Sequence, residues 1–256
     1  MLEVLARQFL YRPPALPVPS PPPPPLEEVW LDLATGDRAM VWTSVDPMPP
    51  GAPVVLFFHG NSENLETMRM AGLCQRLEGV GVAFLAVDYP GYGRSSGEPS
   101  EEGLLATGAA AVDWARRRQP GRPVVACGWS MGAAVAIATA AAHPGKVDGL
   151  VALCPWTRLE DVVRRYAPEL PAVFPVAHRY DSLSAARKVR VPALVIHGEL
   201  DPVIPVEQGR QIARALGGPS RFIPIPNARH RDLLVSHPQV WRELSGFFAS
   251  LRAEPS

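Results

Sequence analysis

Short apolar segments alternate with stretches of helical spacing along most of this chain, and this alternation limits the possible folds most strongly. From residue 53 onward the strand-like segments are 53–58, 82–87, 124–127, 147–153, 193–197 and 221–225. Strands that are apolar on both faces are typical of a parallel sheet covered by helices on both sides. Two earlier segments, 28–33 and 38–44, flank a Thr-Gly-Asp turn and predict an opening hairpin. The sequence therefore predicts an α/β fold with a mostly parallel, eight-stranded sheet.

Helices are predicted between these strands. Apolar residues recur at helical spacing over 65–77, 101–119, 131–142, 206–216 and 238–251. One connection, residues 155–191, is longer than the others and is rich in proline and aromatic residues. Substrates of such sheets bind at the carboxyl ends of the strands, where this insertion belongs. We therefore expect residues 155–191 to form a small cap of loop-like structure over a site.

The pentapeptide Gly-Trp-Ser-Met-Gly at 128–132 ends a buried strand and begins an alanine-rich helix. In a nucleophile elbow, a serine on a tight strand–turn–helix bend exposes its hydroxyl above the sheet, and glycines make room for crowded backbone. The pentapeptide alone is a weak signal, because a serine that only caps a helix gives the same letters. Its position between a strand and a helix favours Ser130 as a nucleophile.

A serine hydroxyl becomes a strong nucleophile only when a base takes its proton and a third group orients that base. After such an elbow, the acid and then the histidine follow along the chain. Asp201 lies in a turn just past a strand and is the predicted acid, with Glu199 as the alternative. His230 follows the last strand and is the predicted base, with His237 as the alternative.

The negative charge that develops on a substrate oxygen needs two preorganised N–H donors. One predicted donor is the amide of Met131, directly after the serine. The other is the amide of Asn61, in a His-Gly-Asn loop that follows a strand and whose glycine lets the backbone approach a substrate. His59 and His197 end strands, and we expect both to pack or to hydrogen-bond inside the protein.

Five motifs stand in an order that resembles the α/β-hydrolase superfamily over residues 28–251. Within it the chain looks like the α/β-hydrolase domain-containing group, which is near the serine aminopeptidase-type hydrolases. The motifs are residues 59–61 (HGN), 88–95 (DYPGYGRS), 128–132 (GWSMG), 197–201 (HGELD) and 227–230 (NARH). Relatives usually carry glycine at the positions of Arg229 and Ala133. The resemblance implies the α/β-hydrolase fold and a catalytic triad of the serine, aspartate and histidine named above.

The predicted activity is hydrolysis of an ester or thioester through an acyl-enzyme. A pocket for a small or medium apolar acyl group is expected around Trp129, Trp156, Tyr166 and Phe174. A peptidase or amidase of the serine aminopeptidase type is one alternative, although no clear acidic cluster would grip a peptide amino terminus. A non-catalytic binding protein is the other, because a fold does not determine function. No cofactor or metal is expected, since no Cys/His spacing resembles a metal site.

The N-terminal segment is set apart by composition, because nine of the 30 prolines fall in residues 13–25. Such a run predicts a stiff, solvated polyproline II spacer, with an SH3-type ligand as the alternative. We therefore predict a leader over residues 1–26 and a hydrolase domain over 27–256. Removing residues 1–25 is expected to change the turnover of a soluble ester little.

The net charge and the N-terminal sequence limit the classes of partner that this protein is expected to have. Lys+Arg and Asp+Glu number 25 each, so the chain lacks the excess of basic residues that is typical of a nucleic-acid-binding protein. Residues 1–10 are too short to span a bilayer and lack the features of a signal peptide. We expect a cytoplasmic enzyme with a small-molecule acyl substrate, and weak membrane association through the N-terminus is left open. The sequence does not specify an oligomeric state.

Overall fold

The computed structural model describes residues 10–44, 50–166 and 179–252. They contain one sheet in the spatial order β1-β2-β4-β3-β5-β6-β7-β8, with β2 antiparallel to both neighbours and all other neighbouring pairs parallel. The strands are β1 (Leu26–Asp32), β2 (Arg38–Ser44), β3 (Val54–Phe58), β4 (Ala83–Val87), β5 (Val124–Trp129), β6 (Gly149–Leu153), β7 (Ala193–Gly198) and β8 (Ser220–Ile225). The predicted eight-stranded, mostly parallel sheet is confirmed.

Each face of the sheet has its own apolar core, because successive side chains of a strand point to opposite faces. In β3, Val54, Leu56 and Phe58 belong to one core, whereas Val55 and Phe57 belong to the other. This explains why the central strands are apolar at every position rather than at alternate positions.

Helices cover both faces. They are α1 (Leu65–Met70), α2 (Leu73–Gly79), α3 (Glu101–Arg118), α4 (Met131–Ala142), α5 (Leu159–Tyr166), α6 (Ser182–Ala186), α7 (Val206–Ala215), α8 (Leu233–Ser236) and α9 (Pro238–Ser250). Helices α3, α4 and α7 contribute to the first core, and α1, α2 and α9 contribute to the second. Helix α4 carries almost only small side chains, and it packs closely over the middle of the sheet.

The single helix predicted over residues 65–77 is wrong, because the structure has two helices there. Gly72 separates α1 from α2 with a φ of 74°, which is the left-handed region that glycine enters readily. Apolar side chains continue at helical spacing on both sides of this break, so the periodicity alone did not reveal it. Leu65, Met68, Leu73 and Leu77 are all buried in the same core.

The cap insertion is more helical than its composition predicts. Helices α5 and α6 lie within residues 155–191, and the Asp181 side chain caps α6 by accepting a hydrogen bond from the Ser184 N–H at 2.9 Å. Residues 167–178 lie outside the described residues, and with them Phe174. The boundaries proposed for the cap and for the hydrolase domain stay predictions.

The proline-rich segment is solvated only in part: more than half of residues 13–25 are exposed, but the described part of the leader also packs against the domain. Tyr11 and Val18 are only 4% and 5% exposed, and both belong to the apolar cores. The Asn64 side-chain Nδ2 also donates a hydrogen bond to the Leu16 carbonyl at 2.7 Å. Polyproline backbone leaves its carbonyls unpaired, and here side chains of the domain bind one of them.

Within residues 10–44, 50–166 and 179–252, none of the helices combines the length and the hydropathy that a membrane span requires. Residues 1–9 lie outside the described part of the chain, so the expected membrane contact of the N-terminus stays a prediction.

Candidate active site

Ser130 stands on a sharp bend between β5 and α4, as the sequence predicts. Its backbone has φ 57° and ψ −117°, a strained conformation for a residue with a side chain. A Cβ on Gly132 would lie 1.9 Å from the Phe58 carbonyl oxygen, and one on Gly128 would lie 2.0 Å from the Gly132 carbonyl oxygen. Both glycines are therefore required by neighbouring backbone, and the bend holds the serine at the N-terminus of α4.

The structure brings Ser130, His230 and Asp201 together from three separate loops. Ser130 Oγ lies 3.0 Å from His230 Nε2, and His230 Nδ1 lies 2.7 Å from Asp201 Oδ2. All three side chains are buried, with 6–9% of each residue exposed. They sit beyond the carboxyl ends of β5, β7 and β8, where the loops of parallel strands converge.

Asp201 is held as a carboxylate by donors on every side. Its Oδ1 accepts hydrogen bonds from the N–H groups of Val203 and Ile204, each at 2.8 Å. Burial by itself would raise the pKa of Asp201, but hydrogen bonds from His197 and His230 outweigh it and keep that pKa well below its ordinary value. An ionised Asp201 can then hold the proton on His230 Nδ1 and leave Nε2 to act as an acceptor.

The two alternative residues lie apart from this arrangement. Glu199 is exposed, and among the described residues no hydrogen bond or ion pair joins its carboxylate to a histidine. The Nε2 of His237 lies 3.3 Å from Asp232, and His237 precedes α9. His59 and His197 are completely buried and hydrogen-bonded inside the protein, as expected from their positions at strand ends.

Asn61 and Met131 border the same cavity as Ser130. Within the described parts of the chain, the backbone N–H of neither residue donates to a protein acceptor. The loop carrying Asn61 is fixed from behind, because His59 Nε2 lies 3.1 Å from the buried Asp88 carboxylate. Both N–H groups are thus available to a ligand oxygen, which is the arrangement that an oxyanion hole needs.

A cavity of about 810 Å³ opens above Ser130. Of the four aromatic residues predicted to form a pocket, Trp129 and Trp156 line it, Tyr166 ends α5, and Phe174 lies outside the described residues. The ring centroid of Trp129 lies 5.1 Å from that of His230. A Cβ on Gly60 would come within 2.6 Å of the Trp129 ring, so this glycine makes room for the indole.

Two family models match this chain. The serine aminopeptidase (S33) family model matches residues 50–183, which is more than half of the chain. The chain belongs to the serine aminopeptidase (S33) family of α/β-hydrolases. The model of the TAP-like protein family matches residues 163–254 of this hydrolase.

Relatives of this hydrolase include both uncharacterized proteins and a lipase. An uncharacterized protein of Mycobacterium tuberculosis is 33% identical over 230 residues, which cover 88% of this chain and 80% of that protein. The lysophosphatidylserine lipase ABHD12 of Rattus norvegicus is 27% identical over 241 residues, covering 85% of this chain. The chain spans 59% of the length of that lipase.

Solved structures share the fold of this hydrolase. The Pyrococcus furiosus esterase Pf2001 superposes with a TM-score of 0.76 at 20% identity, covering 94% of this chain and all of that one. Est1E of Butyrivibrio proteoclasticus, solved with ferulic acid, gives 0.69 at 20% identity over 87% of this chain and 98% of that one. The predicted α/β-hydrolase fold is therefore confirmed.

Several cavity residues of this hydrolase were not predicted from the sequence. Leu10, Tyr11 and Arg12 come from the leader, and Tyr180 comes from the base of the cap. Glu63 also borders the cavity, and its Oε2 accepts a hydrogen bond from the Gly60 N–H at 2.9 Å. Glu63 follows Gly60 at the spacing of a tight turn, which was the only local signal for this contact.

Burial raises the pKa of Glu63, and the nearby His59 and the Gly60 N–H offset that rise only in part. Because the Glu63 carboxyl accepts the Gly60 N–H, it stabilises the loop that carries the Asn61 backbone amide. A carboxyl that already accepts a backbone hydrogen bond is poorly placed to act as a second base.

One group of side chains has the composition of a metal site. Ligand atoms of Cys154, His197 and Asp201 lie within 4.8 Å of one another. His197 Nε2 is 2.9 Å from the Ile204 carbonyl, and Asp201 is occupied by His230 and two backbone N–H groups. Burial raises the pKa of the Cys154 thiol well above its ordinary value, which disfavours the thiolate that a metal would need. These residues are better suited to positioning Asp201 than to binding a metal ion.

Proposed function

We propose that this protein is a serine hydrolase that cleaves carboxylic ester or thioester bonds of small or medium acyl substrates. The observation that carries the proposal is the continuous hydrogen-bond chain from Ser130 through His230 to Asp201, which ends at a cavity. An isolated serine at a helix N-terminus would need neither the histidine nor the buried carboxylate.

In the proposed reaction, Ser130 Oγ attacks the substrate carbonyl carbon while His230 Nε2 takes the hydroxyl proton. The C–O or C–S bond to the leaving group breaks, and His230 returns that proton to the leaving group. Asp201 stabilises the charged imidazole between these steps. A water molecule then attacks the acyl-enzyme through the same base and releases the acid. The N–H groups of Asn61 and Met131 bind the oxyanion in both halves of the reaction.

The walls of the cavity support an apolar acyl group. Leu159, Val162 and Val163 of α5 and Ile204 beside Asp201 border it, together with the two tryptophans described above. Burying methylene groups against such walls contributes about 0.8 kcal/mol for each one. The lipase and esterase names among the similar proteins also support ester cleavage.

A peptidase is the second candidate, because the family name and one acidic residue in the cavity favour it. That residue, Glu63, would have to bind a substrate ammonium group. Its carboxyl already accepts the Gly60 N–H, and burial raises its pKa, so it is a weaker anion than an ordinary surface glutamate.

A substrate panel tests these alternatives directly. We expect p-nitrophenyl esters of short to medium acyl chains to be cleaved with the highest kcat/KM, with matched thioesters next and aminoacyl p-nitroanilides slowest. The Ser130→Ala protein serves as the control for non-enzymatic hydrolysis. If anilides are cleaved faster than esters of the same acyl group, the protein is a peptidase and the proposed esterase activity is wrong. Rates that rise steadily to long chains would contradict the limit on acyl size.

A further inference from the structure

The side-chain amide of Asn61 is bound by the leader. Its Oδ1 accepts a hydrogen bond from the Arg12 backbone N–H at 3.0 Å, and its Nδ2 donates one to the Leu10 carbonyl at 2.6 Å. A carboxamide that pairs with the C=O of one residue and the N–H of the next residue but one imitates a neighbouring strand. Residues 10–12 and the Asn61 side chain therefore form one hydrogen-bonded unit.

This unit is anchored in the core on the side of the domain. The Tyr92 hydroxyl donates to the same Asn61 Oδ1 at 2.7 Å. Tyr92 is completely buried, and its ring centroid lies 5.4 Å from that of His59, the residue that begins the loop. The Asn61 side chain is thus held between a fixed tyrosine and the backbone of the leader.

The leader is also anchored on the side of the cap. The hydroxyl groups of Tyr11 and Tyr180 lie 2.8 Å apart and are buried. Tyr180 is in edge contact with Trp156, and the Trp156 indole N–H donates to the Tyr180 carbonyl at 3.3 Å. Residues 10–12 therefore contact both Asn61 and Tyr180, and both of these residues border the cavity.

We propose that residues 10–12 position the Asn61 backbone N–H as an oxyanion donor, with the Asn61 side chain as the link. Residues 10–12 are then a part of the active site. Deleting residues 1–25 should therefore lower kcat, which replaces the expectation from the sequence that turnover would change little. This inference rests on the proposed function, because it assigns a role in that reaction.

The physical reason is preorganisation. An oxyanion donor is effective when it already points to the place where charge develops, and removing one such donor lowers kcat by about 100- to 1000-fold. The Asn61 N–H and the Asn61 side chain share one Cα, so holding the carboxamide restricts the direction of the N–H. When the carboxamide is released, the Asn61 N–H is still present but its direction is less restricted. We therefore expect a fall in kcat of about tenfold.

A pair of proline substitutions isolates the leader hydrogen bond. Arg12→Pro removes the N–H that donates to Asn61, and the residues that follow position 12 are already prolines. Ala15→Pro is the matched control, since Ala15 is exposed and its N–H makes no hydrogen bond within the described residues. Arg12→Ala keeps the N–H, so the ratio of the two Arg12 variants separates the hydrogen bond from the guanidinium. Asn61→Ala keeps its own backbone N–H and removes the whole link.

The readouts are kcat, KM, the inhibition constant of a trifluoromethyl ketone of matched chain length, and hydrogen exchange of residues 59–63. We expect Arg12→Pro and Asn61→Ala to lower kcat about tenfold at nearly constant KM. The inhibition constant of the ketone should rise by the same factor. Exchange in residues 59–63 should become faster in both. Ala15→Pro should match the wild-type protein in all four.

Equal kcat in Arg12→Pro and Ala15→Pro would overturn this proposal alone, and so would a change confined to KM. A purely structural role would lower the melting temperature and the fraction of active protein without changing kcat per fluorophosphonate-labelled site, and that result would overturn it too. Ester turnover that survives Ser130→Ala would overturn the proposed function and this inference together.

Discussion

The glycine after the serine at the elbow, Gly132, is a sensitive test of how the nucleophile is held. In Gly132→Ala, the new Cβ would lie 1.9 Å from the Phe58 carbonyl oxygen and 2.7 Å from the His59 carbonyl oxygen. Real Cβ contacts do not fall below 3.0 Å, so α4 and the end of β3 must separate by about 1 Å. Overpacking of this kind costs about 3 kcal/mol when only backbone can move.

For a domain of this size, such a cost lowers the melting temperature by about 6–12 °C. A displacement of about 1 Å between Ser130 and the N–H of Asn61 should also lower kcat by about 100-fold. The matched control is Gly246→Ala in the exposed interior of α9, where nothing lies within 4 Å of the new Cβ. That change should stabilise the protein by about 0.5–1 kcal/mol, because alanine is the better helix former.

Differential scanning calorimetry and turnover per fluorophosphonate-labelled site measure the two effects. Opposite shifts of the melting temperature in the two variants are the expected result. A Gly132→Ala protein that melts and turns over like the wild-type protein would refute the claim that backbone crowding fixes the elbow.

Two other substitutions test the leader and the acid. Val18→Ala should lower the free energy of unfolding in urea by about 1–2 kcal/mol, because the side chain is buried in a core; a loss below about 0.5 kcal/mol would indicate a surface position. Asp201→Asn should lower kcat by about 10⁴-fold, since an amide cannot stabilise a charged His230. The lowered pKa of Asp201 means that its carboxylate stabilises the fold above about pH 4 and that this contribution fades as pH falls further. The stability gap between wild type and Asp201→Asn should therefore narrow below about pH 4, and a gap that widens in urea unfolding at low pH would contradict the assigned charge.

The sheet and the elbow could be predicted because their signals are local. Fully apolar strands, the glycines at 128 and 132 and the short side chains of α4 each follow from the space available at one place in the fold. The positions of Asp201 and His230 followed from strand ends, since loops at the carboxyl edge of a parallel sheet converge.

The packing of the leader could not be predicted in the same way. Tyr11 meets Tyr180, which is 169 residues away in the sequence, and nothing near Tyr11 indicates that partner. A proline-rich composition restricts the backbone, but it does not say whether a neighbouring surface offers donors such as Asn64 Nδ2. The break at Gly72, in contrast, has a local signal, which is the glycine itself. The apolar spacing on both sides of this glycine nevertheless favoured a single helix.

Labelling with a fluorophosphonate probe, followed by peptide mapping, tests the central claim most directly. Only an activated serine reacts, so the wild-type protein should carry one label on the peptide that contains Ser130, and Ser130→Ala should carry none. Ester turnover in the variant should fall on the order of 10⁶-fold, as for a serine that acts as a unit with its base. His230→Ala should lose the label as well, although its serine is intact. A label on any other residue, or turnover that persists in Ser130→Ala, would contradict the proposed serine mechanism.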